Sequence, residues 1–228
     1  MTSAHHRPER IREAPMISTR DLSVLPPIDD LKKLTQALAM LDAVVQRDWE
    51  GRYYSFNAHW SNEEQLASMR NGEGDEWLCV FSKYGAFLKG LHHESEMAKG
   101  WSGLLDGVPD VFKSALDEPA FSMEYTSFCI WRTYEDDQWR TGSISYPPGD
   151  DPDGSAWMLA ILDGNPSRYQ RWAEECYGRP IELSAVEQVY AHNTLTDQIV
   201  RSLNSQISLW DVVVDASEIG YPLSRHAS

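Results

Sequence analysis

Two periodicities divide the chain. Between residues 66 and 96 apolar positions recur at every second residue, as in a half- or fully covered strand, whereas on either side they recur every third or fourth, as on a helix face. Asn71, Gly72, Glu73, Gly74 and Asp75 predict a turn, because Asn and Gly accept positive φ at little cost. In the run 76–81, Trp77, Cys79 and Phe81 share one face and Leu78 and Val80 the other. Both faces are apolar, so this strand is expected to be covered on both sides. A second turn at 83–85 and a return strand at 86–91 complete a three-stranded antiparallel meander. If the last strand continues, His92, Glu94 and Glu96 project to one side, and His93 and Ser95 to the other.

The flanks are read in the same way. Leu31, Leu34, Leu38, Leu41 and Val45 form one stripe, with Ala37 and Val44 beside it. This predicts a packing helix that starts at a cap from Asp29 or Asp30 and runs to about Asp48. The aromatic run 52–60 predicts a strand, and 61–67 a helical turn before the meander. Pro109 opens a short helix that Glu118 and Pro119 end. Residues 121–133 predict a second β region, with 138–144 as its hairpin partner across an acidic turn, Tyr134, Glu135, Asp136 and Asp137. The apolar run 156–162 is expected as a short buried strand. Asn165 and Pro166 open a helix to about Tyr177. Ser184 and Glu187 match a capping box, Thr194 caps a further helix, and 207–219 is read as helix on length. Strands and helices are clustered rather than alternating, which predicts an α+β fold with a mainly antiparallel sheet and a helical C-terminal third. Residues 1–24 are expected as a tail, with Met16 a candidate start, and 25–228 as one domain.

Composition narrows the function classes. The 228 residues are 42% hydrophobic and 11% aromatic, with nine Trp, a globular make-up. No apolar run reaches the roughly 18 residues of a membrane span, and the polar N-terminus has no apolar h-region. Cys79, Cys129 and Cys176 are odd in number and far apart, which points to a reduced, cytoplasmic setting. Formal charge is −15, although residues 1–20 carry Arg7, Arg10, Arg12 and Arg20 against Glu9 and Glu13. So acidic a surface repels phosphate backbones and favours a basic protein partner over nucleic acid.

Candidate chemistry is sparse. No phosphate-binding glycine loop, dinucleotide fingerprint, nucleophile elbow, His-Glu-x-x-His or Cys-x-x-Cys occurs. Ser95 has no local partner, because neighbouring strand residues face apart. Gly149 stands where the loop 147–155 would need its first calcium ligand, so turn chemistry accounts for that loop. Glu94, Glu135 and Asp163 offer carboxylate pairs of the kind any acidic protein has. Cys176 follows Glu174 and Glu175, which oppose a thiolate. The densest constellation is His92, His93, Glu94 and Glu96. It reads either as a solvated strand end or as a site for a metal-assisted hydrolase or a small molecule, with His92, Glu94 and Glu96 as ligands and Arg70 holding an anion. Otherwise the acidic turns Asp75-Glu76 and Glu135, Asp136, Asp137 are contact candidates, with Trp60 and Trp139 as aromatic anchors.

The segments YYSFN (53–57), ASMRNGEGDE (67–76), KGLHHESEM (89–97), EPAFS (118–122), FCIWR (128–132) and EIGYP (218–222) resemble a family of bacterial proteins with no assigned function. The resemblance covers most of the chain from about residue 31 and implies no catalytic residues. In size, acidity and α+β make-up the chain is also similar to cytoplasmic immunity proteins that bind toxin domains, a likeness of class without a motif. The leading expectation is a non-enzymatic acidic binding protein, with no cofactor and a basic protein partner. A metal-assisted hydrolase and a housekeeping domain are the alternatives.

Overall fold

The computed structural model describes residues 16–224. Five antiparallel strands lie side by side in chain order: β1 (Tyr54–Asn57), β2 (Glu64–Arg70), β3 (Glu76–Ser82), β4 (Gly85–Leu91) and β5 (Phe128–Thr133). The helices are α1 (Ile28–Val45), α2 (Lys113–Leu116), α3 (Ser155–Leu159), α4 (Pro166–Tyr177), α5 (Leu183–Tyr190), α6 (Asp197–Leu203) and α7 (Val213–Ile219). This is an α+β fold with its helices concentrated in the C-terminal part, as the clustering of periodicities predicts.

The alternation in β3 sorts the two cores. Trp77, Cys79 and Phe81 join Tyr54, Phe56, Ala67, Met69, Leu88, Phe128 and Ile130 under the main helical layer. Val80 joins Phe87, Cys129 and Trp131 on the opposite face, closed by Phe112, Ala115 and Phe121. α1 lies between the sheet and α5, α6 and α7, and is buried nearly all round from Leu34 to Val45. A helix covered on every side needs more than one apolar stripe, and Thr35 and Gln36 are buried with it. Gln36 resolves its burden by donating from Nε2 to the Ile219 carbonyl at 2.9 Å.

Several elements differ from their sequence expectations. Residues 61–67 are not a helical turn: β2 starts at Glu64, and Leu66 and Ala67 pair with Val80 and Cys79. The apolar run at 156–162 is helical, in α3 and a following 3₁₀ turn. Periodicity cannot separate a short buried helix from a strand, and the Asp151 carboxylate decides it by accepting from Ala156 N and Trp157 N at 3.0 and 3.1 Å. The segment 138–144 meets β5 at one bridge only, Arg140 to Trp131. α1 begins after Pro27, with Asp29 and Asp30 in its first turn, where they complement the helix dipole. Glu182 and Thr196 cap α5 and α6, each two residues from the capping position expected. Asn165 caps α4 as expected, accepting from Ser167 N.

Of the segment expected as a tail, residues 1–15 lie outside the described residues. The remainder packs: Ile17 is buried in the main core and Leu22 lies against it. Thr19 N donates to Ser155 Oγ at 3.0 Å, and the Thr19 hydroxyl meets Asp153 Oδ2. Polar side chains, rather than an apolar period, hold this segment, which is why patterning misses it.

Candidate functional site

β4 ends at Leu91, and residues 92–96 form a turn. The alternating projection of His92, Glu94 and Glu96 therefore does not exist. Instead both imidazoles face the β2–β3 turn. Asp75 Oδ1 lies 3.0 Å from His92 Nδ1, 2.8 Å from His93 Nδ1 and 2.9 Å from His93 N. Glu94 and Glu96 are exposed and stand apart from this contact.

Each part of the cluster is positioned by local chemistry. Asn71 Oδ1 accepts from Glu73 N and Asp75 N, which closes the turn, and Asn71 Nδ2 donates to Asp75 Oδ2 at 2.7 Å. An Asx turn of this kind fixes a side chain without secondary structure. His92 N donates to Ser127 Oγ at 2.9 Å, and Ser127 Oγ donates on to the Asp153 carbonyl at 2.8 Å. The His92 ring meets Trp157 edge-on at 6.2 Å. Gly154, at φ +76°, leaves room for it, since a Cβ there would sit 2.4 Å from His92 Cβ. The loop 147–155 thus braces His92, while its own Asp151 and Asp153 carboxylates bind the backbone at the start of α3.

Burial raises the Asp75 pKa, but the bonds from His93, His92 and Asn71 outweigh it and hold the carboxyl at about 2. The same bond to Asp75 pushes His93 upward, and Glu94 and Glu73 add to it. Asp75 therefore stabilises the fold above its unfolded pKa of 3.8, and this contribution is lost as pH falls through about 2. In urea unfolding, the native chain is expected to lose about 2 kcal/mol between pH 5 and pH 2 that Asp75→Asn does not lose. Equal losses would mean that the imidazole bonds do not hold this carboxylate.

The remaining candidates fall elsewhere. Glu76 Oε1 bonds Lys89 Nζ at 2.9 Å, and Lys89 is fully buried on the smaller core's face. Arg70 lies over the Trp49 ring at 4.7 Å and donates to the Trp49 carbonyl, so it is engaged away from the imidazoles. Trp139 is 5% exposed and donates from Nε1 to the Pro26 carbonyl, so it is not available as a surface anchor. Trp60 is half-buried and stacks on Phe121.

The two acidic turns do not form one surface. Strand direction reverses at each hairpin, so the β2–β3 turn with Asp75 lies at one end of the sheet and the segment after β5 with Glu135 at the other. Seven-residue strands separate these ends by roughly 20 Å. At the second end Glu135 and Asp137 are exposed. Asp136 is instead a brace, accepting from Thr133 N, Thr133 Oγ1 and Arg140 Nε. Here the structure supplies what patterning misses: Tyr84 and Tyr134 are 47% and 52% exposed and meet at this end, where Tyr134 N donates to the Tyr84 carbonyl at 3.0 Å and the Tyr134 hydroxyl to Asp29 Oδ1 at 2.8 Å. Two adjoining shallow depressions of ≈ 340 and ≈ 360 Å³ run along this end, both lined by Glu63, Glu64 and Lys83. Exposed tyrosines beside turns were legible in the sequence, but nothing there showed that residues 84 and 134 share one rim.

No protein-family model, no curated protein and no solved structure matches this chain. Among the described residues, no helix is long and apolar enough to cross a membrane.

Proposed function

We propose that this is a non-enzymatic binding protein whose acidic surface meets a basic protein partner, in the manner of an immunity protein that neutralises a toxin. The observation that carries this reading is the rim at the second sheet end, where Tyr84 and Tyr134 stand exposed among carboxylates. Tyrosine is an amphipathic anchor with little rotamer freedom to lose, and clustered carboxylates speed encounter with a cationic surface. Charge supports the same reading. Arg47, Arg52, Lys83, Lys113, Arg140, Arg168 and Arg201 are held in ion pairs by the chain's own carboxylates, which leaves the acidic excess of a −15 chain facing outward.

The test is affinity capture from the native cell at low ionic strength, followed by calorimetry with the purified partner. A partner of basic pI is expected, bound more weakly as salt rises. Tyr84→Ala with Tyr134→Ala, and Glu135→Lys with Asp137→Lys, are each expected to weaken binding by about tenfold or more. Asp75→Asn, at the opposite end of the sheet, is expected to leave binding unchanged. Recovery of no basic protein, or binding that ignores salt and both double substitutions, would overturn the proposal.

A further inference from the structure

The Asp75–His92–His93 cluster has no part in that rim. We propose that these three side chains form a binding site for a divalent transition-metal ion of the zinc class. Their ligand atoms lie within 4.8 Å of one another, with Asp75 Oδ1 as the shared centre. Three nitrogens, His92 Nδ1, His93 Nδ1 and His93 N, stand 2.8–3.0 Å from that single oxygen. Both rings turn Nδ1 toward Oδ1, so a cation between them would be bound by the Nδ1 lone pairs while each ring keeps its proton on Nε2.

The dimensions suit the ion. Zinc bonds of roughly 2.0–2.1 Å in a tetrahedral arrangement hold ligand atoms about 3.3 Å apart, close to the 3.0 and 2.8 Å that separate Oδ1 from the two Nδ1 atoms. Two imidazoles with one carboxylate are a donor set for zinc and its transition-metal neighbours, rather than for magnesium or calcium, which take oxygen. The supporting contacts are present too. Asn71 Nδ2 holds the second Asp75 oxygen, and Gly154 and Trp157 bound the His92 ring. Such outer contacts fix ligand orientation. His93 is exposed, so water can complete the coordination.

Equilibrium dialysis and calorimetry of the full chain with Zn²⁺ alone test the assignment, with Co²⁺ absorption reporting coordination geometry. One ion per chain is expected. Asp75→Asn, His92→Ala and His93→Gln are each expected to weaken binding about tenfold or more, with folding checked by circular dichroism. His5→Ala with His6→Ala controls for the histidine pair near the N-terminus and is expected to change nothing. Absence of stoichiometric binding would overturn the site. So would binding that survives the cluster variants and disappears with His5 and His6.

Discussion

Asp42→Ala is expected to lower stability by about 3–5 kcal/mol in urea unfolding, the range for breaking a buried polar network. Asp42 sits on α1 with no exposed surface. Its Oδ2 accepts from Tyr53 N, Tyr54 N and Tyr177 OH at 2.9 Å each, and its Oδ1 from Tyr169 OH at 2.8 Å. These bonds tie α1 to the start of β1 and to both ends of α4. Alanine leaves four donors without this partner, and two of them, the Tyr54 amide and the Tyr169 hydroxyl, are buried. Tyr169→Phe removes one bond and one donor together, so it is expected to cost only about 1 kcal/mol. If both variants lost the same amount, the network would not be acting as a unit.

The pH dependence of this residue runs opposite to that of Asp75. Burial lifts the Asp42 pKa from 3.8 to about 6, and its four bonds only partly counter the lift. Between those values the folded chain binds more protons than the unfolded one. The contribution of Asp42 is therefore complete below 3.8 and is lost as pH rises through about 6, by about 3 kcal/mol. Comparing Asp42→Asn with the native chain at pH 4 and pH 7 isolates it, since the asparagine does not titrate.

Glu76→Ala is expected to cost about 3 kcal/mol or more, whereas Lys89→Met is expected to stay within about 1 kcal/mol of the native chain. Lys89 has no exposed surface, and its ammonium meets only Glu76 Oε1 at 2.9 Å and the Tyr125 carbonyl at 3.2 Å among the described residues. Without Glu76 the positive charge stays buried and loses its counter-ion. Methionine removes the charge and fills much of the same space beside Leu78 and Cys129, its neighbours in register. The asymmetry separates a desolvated charge from an ordinary surface pair: similar small losses in both variants would show that water reaches Lys89.

Much of the sheet was legible before any coordinates. Alternation through 76–91 located β3 and β4, the Asn-Gly turn marked the reversal, and the two apolar faces of β3 foretold cover on both sides. The stripe on α1 and the Asn165–Pro166 start of α4 were equally plain. The helical nature of 156–162 was not, because a seven-residue apolar run satisfies both periods until the Asp151 carboxylate caps its amides.

The local order of apolar, polar and turn-forming residues determined, unaided, that this chain builds an antiparallel sheet under helices and carries a strong acidic excess. Only the tertiary structure decided which side chains meet. His92 is oriented through Ser127, thirty-five residues away, and both imidazoles reach Asp75 across a hairpin. The two acidic turns part to opposite ends because strand direction alternates. Periodicity reports which face a residue occupies along its own segment; it holds no information about a partner brought near by chain reversal.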